Sequence, residues 1–261
     1  MKALQIAATG MAAQQMKVDV VSNNLANMST TGYNPRRADF ADLTYQQMAR
    51  PGSVSAADGS MLPTGIQIGL GVRPAAVSVV IGQGTLDATG GDLDVAIDGN
   101  GYIEVQMPTG LTGYTRDGAL KRSAEGLIVT SDGYPVAPGI TIPSDARGLT
   151  ISPSGEVWAD FSDRVDPELI GQLTISSFPN EKGLEAIGSN LFLESPASGA
   201  AFSGTPGLEG LGILRHGYLE SSTVDAVREV TELIKAQRGY ELNAKVITAA
   251  DQMLAATTQV R

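Results

Sequence analysis

Large apolar residues recur at seven-residue intervals at both ends of the chain, and this spacing limits the possible folds more than any other feature. The repeated positions are Leu4, Met11, Val18 and Leu25 at the amino end, and Leu233, Tyr240, Ile247 and Leu254 near the carboxyl end. A seven-residue repeat aligns its side chains along one stripe of an α-helix, and that stripe is buried when a second helix packs on it. The sequence therefore predicts one helix at each end, each with an apolar stripe that needs a partner.

The predicted partner of each terminal helix is the other one, or the same helices of further copies of the chain. Packing of both stripes on the middle of the chain is the alternative, and the different character of the middle argues against it. Ser222 with Asp225 three residues later resembles a capping box and predicts the start of the second helix. Ala7, Val21 and Met28 fall three residues further on, at the other seam position of the first helix, and Gln14 interrupts that line. Gly10 also weakens the helix, so we expect it to be marginally stable alone.

Short runs rich in β-branched and aromatic residues occupy the chain between about residues 87 and 195. They alternate with the turn sequences DGNG, RDG, AEG, SDG and PSG, whose residues tolerate positive φ. This pattern predicts serial antiparallel hairpins. The predicted fold class is a multidomain α+β protein, in which long amino- and carboxyl-terminal helices pair as a discontinuous coiled-coil domain and the central domain is mainly antiparallel β.

The composition of the chain predicts three parts. A helical domain comprises residues 1–30 with 223–261. A connecting region comprises residues 31–86 with 196–222, and a β-rich outer domain comprises residues 87–195. Residues 46–75 are rich in Gly, Pro, Ser and Ala and predict either an extended arm or a loop without regular structure. The return segment 196–222 has a similar composition, so we expect it to be loose as well.

Charge and residue usage exclude several classes of function. A formal net charge of −10 argues against a nucleic-acid partner. The absence of cysteine excludes disulfides, thiolate metal sites and a cysteine nucleophile. No uncharged apolar run approaches the roughly 18 residues that span a bilayer, so we expect no direct membrane insertion. Thr9, Gly10 and Gln14 interrupt the amino-terminal apolar segment, which is therefore a poor match to a cleaved signal peptide.

The sequence contains no recognisable metal or histidine-based catalytic motif. His216 is the only histidine, and its surroundings predict an exposed loop. A calcium loop that begins at Asp94 would need an oxygen ligand at Ala96 and an acid at Val105, and neither residue supplies one. We therefore predict no metal site and no cofactor.

Paired carboxylates are the remaining route to catalysis. Glu104 and Asp117 would need a suitable separation to act as a hydrolase pair, and the sequence does not give that distance. Asp92 and Asp94 more simply serve a turn between strands. We predict no catalytic residue and a protein that is not an enzyme.

The segment SNNLANMSTTGYNPRRADF, residues 22–40, resembles the amino-terminal signature of the bacterial flagellar axial proteins, the rod, hook and hook-associated family. The residues that match are Ala26, Asn27, Thr30, Gly32 and Tyr33. The family usually places a basic residue soon after the aromatic one, whereas here Asn34 and Pro35 precede Arg36. The segments DVAIDGNGYIEV, YTRDGAL, GYLESSTVD and AQRGYELNAKVITAADQML continue the resemblance in family order over essentially the whole chain.

The resemblance implies a structural subunit of the distal rod that self-assembles into a rigid helical tube, transmits torque from motor to hook and encloses the export channel. The implied partners are further copies, proximal rod proteins, the hook protein, the P-ring and L-ring bushing and the flagellar export apparatus. The implied location is the basal body, where the rod crosses the periplasm to the outer membrane after export without a cleaved signal. The eight stripe residues become the implied assembly interface, and the arm at 46–75 is implied to bridge subunits.

Two alternatives remain open from the sequence. A hook or proximal rod subunit would share both chain ends, although hook proteins have a larger central portion. A hydrolase that acts on peptidoglycan is the alternative from another class, since a rod must cross that layer. It would require a catalytic acid among Asp92, Asp94, Glu104 and Asp117, for which no motif is present.

Overall fold

The computed structural model describes residues 2–50, 64–164 and 166–259. Helix α1 spans Lys2–Ala26 and helix α2 spans Ala226–Gln259. The chain forms two compact units. We call them the helical unit, Met1–Leu25 with Arg36–Ser78 and Asp225–Arg261, and the β unit, Ala26–Pro35 with Val79–Val224. The two helices and the mainly antiparallel middle of the predicted fold class are confirmed.

The helical unit contains α1, α2 and four strands. These strands are β1 (Arg36–Asp42), β2 (Tyr45–Ala49), β3 (Ile66–Gly69) and β4 (Val72–Val79). Strand β1 pairs with β4, and β2 pairs antiparallel with β3. The described part of the predicted arm therefore has regular structure on both sides, which corrects the expectation of an irregular loop there. Residues 51–63 of the arm lie outside the described residues.

Helices α1 and α2 lie side by side and antiparallel within the helical unit. The Lys17 Nζ is 2.6 Å from the Glu232 Oε2, and the Asn24 Nδ2 is 3.1 Å from the Glu229 Oε2. A Cβ added to Gly10 would lie 2.9 Å from the Asn243 amide nitrogen. Position numbers thus rise along α1 while their partners fall along α2. The finer prediction, that this pair forms a coiled coil, remains a prediction.

The start of helix α2 differs from the predicted capping box. The helix begins at Ala226, and the Asp225 side chain accepts hydrogen bonds from the Val227 and Arg228 backbone N–H groups at 3.0 and 3.2 Å. Asp225 is therefore the N-cap, in the position where an acceptor satisfies the first helical donors. The Ser222 hydroxyl instead accepts from the Val224 N–H. The predicted boundary at Ser222 was wrong by one turn.

Fifteen further strands form the described β unit. They are β5 (Leu86–Ala88), β6 (Val95–Asp98), β7 (Tyr102–Gln106), β8 (Thr112–Thr115), β9 (Lys121–Arg122), β10 (Ile128–Val129), β11 (Ala146–Ile151), β12 (Glu156–Phe161), β13 (Glu168–Gln172), β14 (Ile175–Ser177), β15 (Glu185–Gly188), β16 (Leu191–Leu193), β17 (Phe202–Gly204), β18 (Ile213–His216) and β19 (Tyr218–Glu220). Their largest sheet has the order β15-β16-β8-β7-β14-β17, and β11, β12 and β13 form a second sheet. Shorter ladders join β9 to β10, β6 to β18, and β5 to β19.

Alternation along the strands separates two apolar clusters in the β unit. Ile103 on β7 and Ile175 on β14 belong to a large aliphatic core, which also contains Val95 and Leu214. The preceding residue on β7, Tyr102, belongs instead to a small aromatic cluster with Tyr114 and Phe178. Successive strand residues point to opposite faces, so β7 contributes to both clusters. This arrangement explains the mixed aromatic and β-branched runs of the sequence.

The return segment 196–222 is more ordered than its composition predicts. It contributes strand β17 to the large sheet and strands β18 and β19 to two-stranded ladders. The expectation of a loose connection was wrong here. Short strands of this kind carry little sequence signal of their own, because their stability comes from the strands they pair with.

The turn glycines serve two different purposes. Positive φ occurs at Gly99, Gly101, Gly126, Gly133 and Gly155, as the turn sequences predict. The glycine of RDG, Gly118, does not have positive φ; a Cβ there would lie 1.5 Å from the Val95 carbonyl oxygen. Gly118 is therefore required by the close approach of two backbone segments rather than by turn conformation.

We expect Gly118→Ala to destabilise the β unit by about 1–3 kcal/mol, because the added methyl group must displace the backbone at Val95. Gly148→Ala is the matched control, since a Cβ at Gly148 meets nothing nearer than an Asp160 carboxylate oxygen at 3.6 Å. Urea unfolding of both variants measures the difference. Equal stabilities would show that the Val95 contact does not constrain this position.

Candidate assembly interface

The eight predicted interface residues divide into half-buried and exposed positions. Leu4, Met11, Val18 and Leu25 on α1 are half-buried, as are Leu233 and Ile247 on α2. Tyr240 is 44% exposed and Leu254 is 38% exposed. Helix α2 exposes further large apolar side chains, at Val227, Val230, Ile234, Leu242, Val246 and Met253. Helix α2 thus carries an extensive apolar surface that the described part of the chain leaves uncovered.

On α1 the seam along which the two helices contact each other follows the second predicted line of positions, which contains Ala7 and Gln14, whereas on α2 it lies beside the predicted stripe. We use the name seam for four contacting pairs of residues, which are Gly10 with Asn243, Gln14 with Gly239, Lys17 with Glu232, and Asn24 with Glu229. Their intervals of three, four and seven residues are those of a helix pair. Alanines at 7 and 236 are buried at the same seven-residue phases as Gln14 and Asn243. Val21 is buried at the same phase as Gln14. The seam is therefore built mainly from small and polar residues, and the eight predicted interface residues remain half-buried or exposed.

Glycine has a direct role in this seam. A Cβ at Gly239 would lie 3.0 Å from the Gln14 Cδ, and a Cβ at Gly10 would lie 2.9 Å from the Asn243 side chain. Both distances are shorter than ordinary contacts, so a larger residue at either position would displace the Asn243 or Gln14 side chain from its place in the seam. Gly10, which appeared from sequence to be only a weakness in the first helix, lets α2 approach α1 closely.

An ion pair crosses the seam at its middle. The Glu232 carboxylate accepts hydrogen bonds from the ammonium groups of Lys17 on α1, at 2.6 Å, and Lys235 on its own helix, at 2.7 Å. These two hydrogen bonds lower the pKa of the Glu232 carboxyl to about 2. Glu232 is therefore ionised at neutral pH and helps to hold α1 against α2.

The β2–β3 hairpin is a second surface of the helical unit that the described residues leave largely exposed. Tyr45, Met48 and Ile66 each expose more than half of their side-chain surface, and neither strand has a fully buried residue. An isolated two-stranded hairpin is at best marginally stable in water. The hairpin thus has the properties of a segment that gains stability from a partner.

The signature residues form a tight turn within the β unit. The Thr30 N–H donates to the Asn27 carbonyl at 3.2 Å, and the Thr30 hydroxyl donates to the Asn27 side-chain oxygen at the same distance. The Tyr33 N–H then donates to the Thr30 carbonyl at 3.3 Å, and the Tyr33 carbonyl accepts from the Thr223 N–H at 3.1 Å. Ala26 ends helix α1 immediately before this turn.

Gly32 explains why the motif requires glycine. Its φ is +65°, and an added Cβ would lie 2.8 Å from the Arg116 carbonyl oxygen. Its N–H donates to the Glu220 carbonyl at 2.8 Å. Both the conformation and the lack of space exclude a side chain at this position. The motif is therefore fitted to two residues that are distant in the sequence, Arg116 and Glu220.

Arg116 and Glu220 form a buried ion pair, with the Arg116 Nε 2.8 Å from the Glu220 Oε2. The Arg116 guanidinium also donates to the carbonyls of Gly99 and Gly101, and the Glu220 carboxylate accepts from the Gly84 N–H. Among the described residues, no buried side-chain polar atom lacks a hydrogen-bond partner. Both residues lie within the family segments YTRDGAL and GYLESSTVD, but the sequence does not pair them, because 104 positions separate them.

The acids considered for catalysis differ in their surroundings. Glu104 accepts hydrogen bonds from the hydroxyls of Ser176 and Ser203 on neighbouring strands. Burial raises the pKa of the Asp117 carboxyl above its ordinary value, and the charge of Asp94 acts in the same direction. Within the described ranges, no three His, Asp or Glu residues are grouped so that they could hold a metal ion.

His216 is not the exposed loop residue that the sequence predicts. It ends strand β18, pairs with Val95 on β6 and is half-buried. Its Nε2 lies 2.9 Å from the Asp92 carbonyl oxygen, to which an imidazole N–H can donate. The arrangement joins a strand to a neighbouring loop and serves the fold.

Comparison with known proteins places these features in a class. Residues 4–34 match the family described as flagella basal body rod protein. Residues 96–159 match the flagellar hook protein FlgE/F/G D1 domain, and residues 215–260 match the flagellar basal body rod FlgEFG protein C-terminal family. The signature turn and helix α2 each fall in one of these matches, and the remaining match covers part of the β unit. The fold and its surfaces are those of a structural axial protein of the bacterial flagellum.

Full-length relatives identify the family more closely. The chain is 52% identical over 261 residues to the flagellar basal-body rod protein FlgG of Caulobacter vibrioides, with all of both chains covered. It is 49% identical to the protein of that name from Agrobacterium fabrum and 38% identical to that from Bacillus subtilis, each over 97% of both chains. The chain belongs to the family of flagellar basal-body rod proteins. Neither described helix is long and apolar enough to cross a membrane.

We expect Arg116→Met to destabilise the β unit by about 3–5 kcal/mol, because it leaves the Glu220 carboxylate buried without its counter-ion. The double variant Arg116→Met/Glu220→Met should recover part of this loss, since no unpaired charge remains. Arg215→Met is the control: its ion pair with Asp98 is largely exposed, so its effect should stay below about 1 kcal/mol. Denaturant unfolding of the wild type and these three variants tests the coupling, and a double variant no more stable than Arg116→Met would contradict it.

We expect the helical unit to lose stability in acid as Glu232 is protonated. The folded pKa of about 2 lies below the ordinary value of 4.5, so the stabilising effect is complete above pH 4.5 and is lost as the pH falls toward 2. Thermal unfolding followed by circular dichroism should therefore separate wild type from Glu232→Gln above pH 4.5 and bring them together near pH 2. Glu241→Gln, which loses only a pair with Arg238 on the same helix, should show a smaller separation.

Proposed function

We propose that this chain is the structural subunit of the distal flagellar rod, a rigid helical tube that transmits torque from motor to hook and encloses the export channel. Its full-length similarity to basal-body rod proteins supports the assignment to the rod. The observation that carries the assembly mechanism is the uncovered apolar surface of helix α2, which persists although α1 already lies against that helix. The work of the protein is assembly, and it requires no catalytic residue.

The energy of assembly comes from the large apolar residues beside the seam. Each large aliphatic side chain contributes about 1.5–3 kcal/mol when it is removed from water. We assign Leu4, Met11, Val18, Leu25, Leu233, Tyr240, Ile247 and Leu254 to contacts between copies, in which the terminal helices pack as coiled coils. In this proposal residues 1–30 with 223–261 form the inner tube, 31–86 with 196–222 the connection, and 87–195 the outer domain.

The hairpin stem gives the proposed arm at 46–75 a defined base. Because both strands of the stem are exposed, we propose that the arm lies on a neighbouring subunit and restricts bending of the tube. The further proposed partners are proximal rod proteins, the hook protein, the P-ring and L-ring bushing and the flagellar export apparatus. The proposed location is the rod between periplasm and outer membrane, reached by export without a cleaved signal.

We expect Tyr240→Asp to abolish polymerisation while leaving the monomer folded, because Tyr240 is exposed on α2 and a buried aspartate at a subunit contact is strongly unfavourable. Leu233→Asp should also block polymerisation, but Leu233 is half-buried and its replacement will loosen the monomer as well. Sedimentation and electron microscopy of concentrated protein measure polymer, and circular dichroism of dilute protein reports the fold.

Gln237→Asp provides the matched control, since it adds the same charge to an exposed polar position of the same helix. This variant should polymerise like the wild type. Normal polymer from Tyr240→Asp would overturn the proposed interface. Loss of polymer from both variants alike would attribute the effect to added charge, and the apolar stripe would no longer be needed to explain assembly.

A further inference from the structure

Asn24 is a buried polar side chain in the last turn of α1, with 1% of its surface exposed. Its Nδ2 donates to the Arg36 carbonyl at 2.8 Å and to the Glu229 Oε2 at 3.1 Å. Its Oδ1 accepts from the Arg36 N–H at 2.8 Å. The amide oxygen and both amide hydrogens thus have partners, one on α2 and two on the backbone at the start of β1.

These bonds are specific to one alignment of the helices. Sliding α2 by one turn moves the Glu229 carboxylate about 5.4 Å along the helix axis, which is beyond hydrogen-bonding distance from Asn24. A buried amide hydrogen would then lose its acceptor, at a substantial cost. The bonds to Arg36 hold the Asn24 side chain in place, so it cannot turn to follow the shifted helix.

The other members of the seam discriminate much less between alignments. Gly10 and Gly239 offer only space, and the alanines at 7 and 236 present the same methyl group at each turn. Lys17 has a long, flexible side chain that is one-third exposed and can reach carboxylates at several positions. Val21 is buried near Asn24 on the same helix, but an apolar side chain lacks the directional bonds that would tie it to one alignment.

We propose that Asn24 is the positioning residue that sets the register of α2 against α1. A single buried asparagine can specify the register of paired helices at the expense of some stability, and the seam provides that setting here. Asn24 also fixes the point where the chain re-enters the helical unit at Arg36. Its importance for the polymer rests on the proposed function, because the register decides which apolar residues of α1 and α2 form a common surface.

Engineered cysteine pairs can measure this register, since the chain has no cysteine of its own. Gln14→Cys with Gly239→Cys reports the observed register, because these positions contact each other. Gln14→Cys with Asn243→Cys, and Gln14→Cys with Ala236→Cys, report slides of about one turn in either direction. Each pair is oxidised in dilute monomer that carries Tyr240→Asp, and the disulfide yield is read from gel mobility.

With Asn24 present, the observed-register pair should give at least about tenfold more disulfide than either shifted pair. Asn24→Leu should reduce this ratio to about threefold or less, while the helix content measured by circular dichroism stays unchanged. Asn23→Leu is the matched control, the same chemical change at an exposed neighbouring position, and should keep the tenfold preference. Glu229→Ala, which leaves the Arg36 bonds intact, provides a second test if Asn24→Leu fails to fold.

Two results would overturn the proposal. One is an unchanged register preference in both Asn24→Leu and Glu229→Ala. The other is loss of preference in Lys17→Met but not in the Asn24 and Glu229 variants, which would assign register to the ion pair. Because the yields are measured in protein diluted until sedimentation shows only monomer, these results are distinguishable from the outcome of the Tyr240 experiment that tests assembly.

Discussion

The buried ion pair of Arg116 and Glu220 joins segments of the β unit that the sequence keeps far apart, and the position of the signature turn depends on it. The pair holds the backbone at Gly84, Gly99 and Gly101 through charged hydrogen bonds. The backbone of the same two residues encloses Gly32, through the Glu220 carbonyl and the Arg116 carbonyl. A charge pair so enclosed cannot exchange its partners for water, so a local error at the turn would leave buried charges unsatisfied. The turn that follows α1 is thereby fixed to the sheet framework.

The helical unit follows a different plan, because its described contacts are mainly polar or small and its large apolar residues, except Val21, remain partly in water. Glycine and alanine allow α1 and α2 to approach, and the Lys17–Glu232 ion pair and Asn24 supply directed contacts. Such a seam buries little apolar area and can contribute only modest stability. An extensive exposed apolar surface on a soluble protein indicates a contact with another molecule. In the proposed rod, the helices therefore become fully stable only among other copies.

The sequence predicted the elements better than it predicted their contacts. The two helices and strands such as β12 follow from the periodicity of the sequence. The antiparallel arrangement of the strands follows from the turn sequences between them. The same periodicity placed Ala7, Gln14 and Val21 on one line of α1, but it did not predict the rest of the seam, because a search for large apolar residues passes over Gly10, Gly239 and Asn243. Arg116 and Glu220 are ordinary charged residues in the sequence, and only the tertiary fold buries them together. The strands of 202–220 were missed because their three or four residues acquire their structure from distant partners.

In the proposed rod, the polar contacts between the two helices thus select their alignment, and the apolar residues supply the energy of association between subunits. Polar contacts are directional and fail when displaced by a few ångströms, whereas apolar contacts tolerate displacement and scale with buried area. If the apolar stripes alone joined α1 to α2, several alignments one turn apart would have similar energies. Copies with different alignments could not share one lattice. In the proposed rod, the directional contacts lie within the subunit and the apolar residues lie beside them. The two helices can therefore reach one alignment before the larger energy of association is released. A rigid polymer built from identical subunits requires that order of events.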